Sequence, residues 1–249
     1  MKTTIATLLL GALATVASAQ TAPAPVPAPK APAVINSVSV EETLTLWGKK
    51  NADTIVELDT TVKGKLYDML GWHVTTPVYS QDYTGYGQID IGVDYALVKD
   101  AKFLGAVTNL GVEGGAWLET GSAGFGADNT NPHAGFNYDM TWGSFVYTQT
   151  FDVRWVGSYA YTPVFGTFND YGLNAESFVA YKWGGLALGA DLNQWYTNGS
   201  NVAYLGPKVQ WAVANNVDLS AGFGVPVWQE VNAANENSCN VTLGLGIKF

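Results

Sequence analysis

The C-terminal stretch constrains this chain more than any other. Val241, Leu243, Leu245, Ile247 and Phe249 alternate with Thr242, Gly244, Gly246 and Lys248. A period of two means a strand with two unlike faces. The same alternation recurs upstream. Val217, Leu219, Ala221, Phe223, Val225 and Val227 alternate with Asp218, Ser220, Gly222 and Gly224, and Ile89, Ile91, Val93, Tyr95 and Leu97 with Asp90, Gly92 and Asp94. A soluble sandwich also alternates, but its inner faces carry bulky apolar groups. Here the face opposite the apolar one is small and charged. That suits a closed sheet whose outside meets lipid.

Composition narrows the choice. Charged residues make up 13% of the chain, against about a quarter in an ordinary soluble domain, while aromatics reach 13%. Beyond the N-terminus no apolar run approaches the roughly 18 residues of a spanning helix. A membrane chain without such helices must close into a barrel that satisfies its own backbone. The net charge of −9, with no basic stripe, excludes a nucleic-acid partner.

Three segments are expected. Residues 1–19 read as a signal peptide: Lys2, the apolar run Ile5 to Val16, and the small-residue cleavage site Ala17-Ser18-Ala19. Residues 20–35 form an Ala/Pro-rich periplasmic tether, which extends as polyproline II. Residues 36–249 form the transmembrane barrel. Cys239 is the sole cysteine, so no internal disulfide is available.

Turn lengths give an independent test, because such barrels have short periplasmic turns and longer outer loops. Reading backwards from Phe249, outer loops are expected at 230–238, 197–201, 162–174, 119–133, 77–86 and 48–52. Turns between them fall at Ala214-Asn215-Asn216, Gly184-Gly185, Gly143-Ser144, near Asp100-Ala101 and near Gly64. The expected fold is therefore all-β, an antiparallel barrel of about twelve strands, with ten or fourteen possible. Trp183 and Leu186 both fall outward across Gly184-Gly185, as a two-residue hairpin requires, and Trp142 and Phe145 do so across Gly143-Ser144. Leu66 to Thr76 alternates poorly, a bend is expected near Gly157, and Pro207 and Pro226 call for bulges.

The Ala-x-Ala leader, the ten-residue alternating segments and a final strand ending in Phe249 resemble outer-membrane β-barrel proteins of the porin-like kind. The resemblance implies residence in the cell outer membrane, with lipid as one partner and the barrel-assembly machinery as another. That machinery would read Val241, Leu243, Leu245, Ile247 and Phe249 as an assembly signal. The resemblance also implies a third outer loop that narrows the pore through Glu119 and Asp128; the alternative is a mobile surface loop.

Outward aromatics form the expected interfacial girdles: Trp142, Phe145, Trp183 and Phe249 at the periplasmic side, Tyr159, Tyr161 and Tyr196 at the outer side. Inward charges carry the functional expectation. Glu57, Asp59, Asp90, Asp94, Glu113, Asp139, Asp152, Asp191 and Asp218 project inward, together with Arg154, Lys182, Lys208 and Lys248. Acids outnumber bases, so a water-filled lumen is the simpler answer; the alternative is a narrow interior filled with salt-bridge networks. The favoured function is a passive, cation-leaning channel for small hydrophilic solutes, and a non-conducting surface barrel with a structural, adhesion or receptor role is the alternative. An enzyme is not expected. His73 and His133 are the only histidines, no Gly-x-Ser-x-Gly elbow is present, and two isolated histidines give no metal-ligand cluster. No cofactor is expected.

Overall fold

Every apolar/polar alternation noted above becomes a strand. The computed structural model describes residues 37–82, 84–122, 124–232 and 235–249. The expected signal peptide and tether lie outside them. The strands are β1 (Ser37–Lys49), β2 (Ile55–Lys65), β3 (Leu70–Ser80), the short β4 (Thr84–Tyr86), β5 (Asp90–Phe103), β6 (Ala106–Trp117) and β7 (Asn131–Trp142). They continue with β8 (Phe145–Thr162), β9 (Gly166–Trp183), β10 (Leu186–Thr197), β11 (Ser200–Ala214), β12 (Val217–Glu230) and β13 (Asn237–Lys248). Neighbours pair antiparallel, and β1 pairs with both β2 and β13, which closes the ring. Strand β4 only flanks the upper end of β3, so the barrel wall has twelve strands.

The hairpins at Gly143-Ser144 and Gly184-Gly185 open on a glycine with positive φ, 58° and 59°, which an L side chain adopts only under strain. Three turn positions differ from the sequence expectation. The β2–β3 turn is residues 66–69, which is why Leu66 to Thr76 alternates poorly; Gly64 instead sits beneath the Trp72 ring, where a Cβ would lie 2.5 Å from Trp72 Nε1. The β5–β6 turn is Leu104-Gly105, because the strand runs on past a bulged Asp100 with φ 51°. The expected loop at 197–201 is the tight turn Asn198-Gly199.

The outer end is irregular where the sequence foresaw trouble. The β8–β9 register shifts between Val156 and Ala160, which is the bend expected near Gly157. Another shift, between Ala203 and Tyr204, accommodates Pro226. Strands β8 and β9 have 18 residues each, well beyond the roughly 9–11 that cross a bilayer. Most of the expected loop 162–174 is thus paired strand.

Candidate interior site

The ladder register decides what faces inward. His73 pairs with Gly92, Gly92 with Gly115, and Gly115 with His133, so the four residues form one row across β3, β5, β6 and β7. At about 4.8 Å per strand spacing, backbones at the ends of such a row stand about 14 Å apart. The imidazole centroids are nevertheless 6.4 Å apart. The glycines make this possible. A Cβ at Gly92 would lie 2.5 Å from His73 Nε2, and one at Gly115 2.5 Å from His133 Nε2, so both rings lean over bare backbone toward each other.

Asp90 stands between them. His73 Nε2 lies 3.3 Å from Asp90 Oδ2, and His133 Nε2 lies 3.0 Å from Asp90 Oδ1. Each ring's other nitrogen also faces a carboxylate, His73 Nδ1 that of Asp94 at 3.2 Å and His133 Nδ1 that of Asp152 at 2.9 Å. His73, Asp90 and His133 are all at least nine-tenths buried. Three sequence expectations are corrected here. The histidines are not isolated, and His133 belongs to β7 rather than to a loop. Asp90 does not face open water, because two rings cover it.

The other inward charges are placed as follows. Glu113 opposes Asp94 across β5–β6 and, with His133 and Asp152, brings ligand atoms within 4.8 Å of one another. Arg154 stacks its guanidinium 3.6 Å from the centre of the Trp117 ring. Glu57 accepts a hydrogen bond from Trp47 Nε1 at 2.6 Å. Lys208 donates to Glu176 and lies 3.6 Å from Asp191. Asp139 pairs in register with Asn109 and Thr148, Lys182 lines a cavity at the short-turn end, and Lys248 donates to Asp218 at 2.6 Å. Sequence reasoning missed Glu41, Lys63 and Glu176, which share parity with inward neighbours and could have been found by it.

The space between these groups narrows from one end to the other. At the short-turn end two adjoining cavities of about 500 and 480 Å³ share Ser39 and Lys248. The second meets a mid-barrel cavity of about 310 Å³ at Thr43 and Ser220; Glu57, Asp59, Glu176, Asp191 and Lys208 line that cavity. Beside Trp47, Trp117 and Trp195 the cavity shrinks to about 50 Å³, room for a water or two.

The narrowing has an identifiable cause. The tip of the β8–β9 hairpin folds inward, burying Val164 completely and Phe165 to 4% exposure against Trp47, Ile55, Val202 and Tyr204. Val164 O accepts from Lys49 Nζ and from Asn237 Nδ2, each at 3.3 Å, and Phe165 O accepts from Asn235 Nδ2 at 2.5 Å. Beside it the rings of Tyr79, Phe125 and Tyr161 cluster, with centroids 5.0–5.5 Å apart. Tyr161 was expected in the outer girdle, but its ring packs against Tyr79 and Phe125 instead. Glu119 and Asp128 are exposed at the rim, Asp128 accepting from Ser158, while Phe125 of the same loop is buried.

The outer wall is apolar. Val241, Leu243, Leu245 and Ile247 face away from the interior, and Trp142, Phe145, Trp183 and Phe249 are 64%, 58%, 81% and 77% exposed at the short-turn end.

No protein-family model matches the sequence, and neither does any of the curated proteins. Solved structures do resemble the fold. The NanC porin superposes with a TM-score of 0.55 at 10% identity, covering 85% of this chain and 100% of that one. The KdgM porin gives 0.52 at 11% identity, covering 85% of this chain and 99% of that one. The KdgM porin in complex with disordered oligogalacturonate gives 0.51 at 10%, with 86% and 99% covered. The chain thus has the fold of the outer-membrane porins, a closed antiparallel barrel of twelve strands.

Proposed function

We propose that this barrel is an outer-membrane channel for passive diffusion of small hydrophilic solutes, with a preference for cations. The observation that carries the reading is the mid-barrel cavity, where four carboxylates (Glu57, Asp59, Glu176 and Asp191) meet one ammonium, Lys208. Rings of one sign set selectivity in pores. On the same reading residues 1–19 direct export, the assembly machinery recognises the C-terminal strand through Phe249, and residues 20–35 serve as a periplasmic tether. Conduction requires the β8–β9 tip to leave the outer mouth. The docked tip is also the observation that favours the second reading, a non-conducting surface barrel.

Reversal potentials in planar bilayers separate the two. The wild-type barrel should pass cations more readily than anions in a salt gradient. That preference should flatten near 1 M salt, where the Debye length is about 3 Å. Replacing Asp59 and Asp191 with Asn should move the reversal potential toward zero. Absence of conductance from both the wild type and a tip-truncated variant would leave the surface barrel as the correct reading.

A further inference from the structure

The cluster of His73, Asp90 and His133 is not needed for diffusion through the cavity, and its chemistry is that of a ligand set. A neutral imidazole carries one N–H. If each Nδ1–H donates to its own carboxylate, Asp94 or Asp152, then each Nε2 presents a lone pair to Asp90, which can only accept. Lone pairs face lone pairs unless a cation lies between. A proton can bridge His73 Nε2 and Asp90 Oδ2, but not the other pair. His133 Nε2 and Asp90 Oδ1 are both buried and 3.0 Å apart, yet no well-formed hydrogen bond joins them.

We propose that His73 Nε2, His133 Nε2 and an Asp90 carboxylate oxygen bind one divalent transition-metal ion of the zinc class. The spacings fit. Bonds of about 2.0–2.1 Å in a tetrahedron put ligand atoms about 3.3 Å apart, and each imidazole Nε2 stands at about that distance from one oxygen of the Asp90 carboxylate, His73 3.3 Å from Oδ2 and His133 3.0 Å from Oδ1. The ligand atoms of all three lie within 4.8 Å of one another. Two imidazoles with one carboxylate favour zinc, cobalt, nickel or copper over calcium or magnesium, which take oxygen ligands. Asp94 and Asp152 complete the arrangement. Metal-bound histidines characteristically donate their other N–H to a carboxylate, which fixes the tautomer and raises ligand basicity. Here both do. Three protein ligands leave a fourth position for water. The overlapping group of Glu113, His133 and Asp152 is less suited, because His133 Nδ1 is engaged by Asp152. The site holds β3, β5 and β7 together and is independent of whether the barrel conducts.

The test uses the untagged barrel folded in detergent and stripped with chelator. Titration calorimetry with Zn²⁺ should give one ion per chain, and Co²⁺ should produce the intense visible absorption of a tetrahedral site. His73→Gln and His133→Gln should each abolish both signals. Asp152→Asn should weaken Zn²⁺ binding about 10- to 100-fold. Gly92→Ala keeps every ligand yet should also weaken binding, since its Cβ displaces the His73 ring. Heat-modifiable gel migration reports whether each variant folds. If none does, X-ray absorption of the Zn²⁺-loaded wild type decides, through the presence or absence of imidazole scattering. No stoichiometric binding by the folded wild type, undiminished binding in both histidine variants, or coordination without imidazole would overturn the proposal.

Discussion

Replacing Val164 and Phe165 together with Ala should open the outer mouth. The tip is held in two ways, and their magnitudes decide which dominates. Truncating a buried Phe to Ala costs about 3–5 kcal/mol, and the two methyl-equivalents lost from Val164 add about 1.6 kcal/mol at 0.8 each. The two amide hydrogen bonds to the tip carbonyls contribute about 0.5–1.5 kcal/mol each, net of water, and the one from the Lys49 ammonium about 1.5–3 kcal/mol, but all three accept at backbone carbonyls that the double substitution leaves in place. Apolar burial therefore dominates. A loss near 5 kcal/mol shifts the docked-to-undocked ratio by roughly 10³ to 10⁴. In single-channel recordings the double variant should dwell mainly in a conducting level that the wild type visits rarely. Asn237→Ala, which removes a donor to Val164 O, should shift the dwell ratio in the same direction by roughly tenfold. Equal open times in the wild type and the double variant, or a larger effect from Asn237→Ala, would refute this account of the tip.

Three further outcomes are expected. Leu104→Asn should raise the unfolding midpoint in detergent, because Leu104 sits at φ 49° beside Gly105 at φ 82°; relieving a left-handed Leu there is worth about 1 kcal/mol. Deleting Phe249, or replacing Leu245 and Ile247 with Asp, should leave the chain unassembled in cell fractionation, since the two acids would face lipid at a cost of up to a few kcal/mol. Brominated lipid should quench Trp142 and Trp183, at 64% and 81% exposure on the outer wall, but not Trp47, buried at 6% in the interior; each is read in a variant with the other tryptophans replaced.

Much of the fold was legible because lipid outside and water inside impose opposite demands on alternate residues. The stretches around Gly184-Gly185 and the C-terminal strand left no ambiguity in parity. Legibility failed where a bulge or a packing glycine imitated a turn. Asp100 looks like a turn residue because its backbone is left-handed, yet it interrupts a strand that continues to Phe103. Gly64 looks like a turn glycine because it has no side chain, yet it makes room for Trp72. The polar run Asp170-Tyr171-Gly172 looks like loop but pairs with β8. The histidine row was the least legible part. Its members are far apart in sequence, and only the register of four strands brings them into line. Once that register is known, the matching parity of His73, Gly92, Gly115 and His133 is the signal.

The position of the hairpin tip has a consequence for the order of events in folding. Its anchors lie on both sides of the seam where the first and last strands meet: Lys49 is on β1 and Asn237 on β13, and both bond to the same carbonyl. Closing that seam is the most non-local step in the chain, as Thr45 and Thr242, 197 positions apart, face each other across it. Such long-range pairing carries the largest loop-closure entropy and comes late. The tip cannot find both anchors until the ring is shut. An unzipped intermediate is therefore flooded from the outer side, and occlusion marks the completion of the barrel, with the tip then acting as a staple across the join.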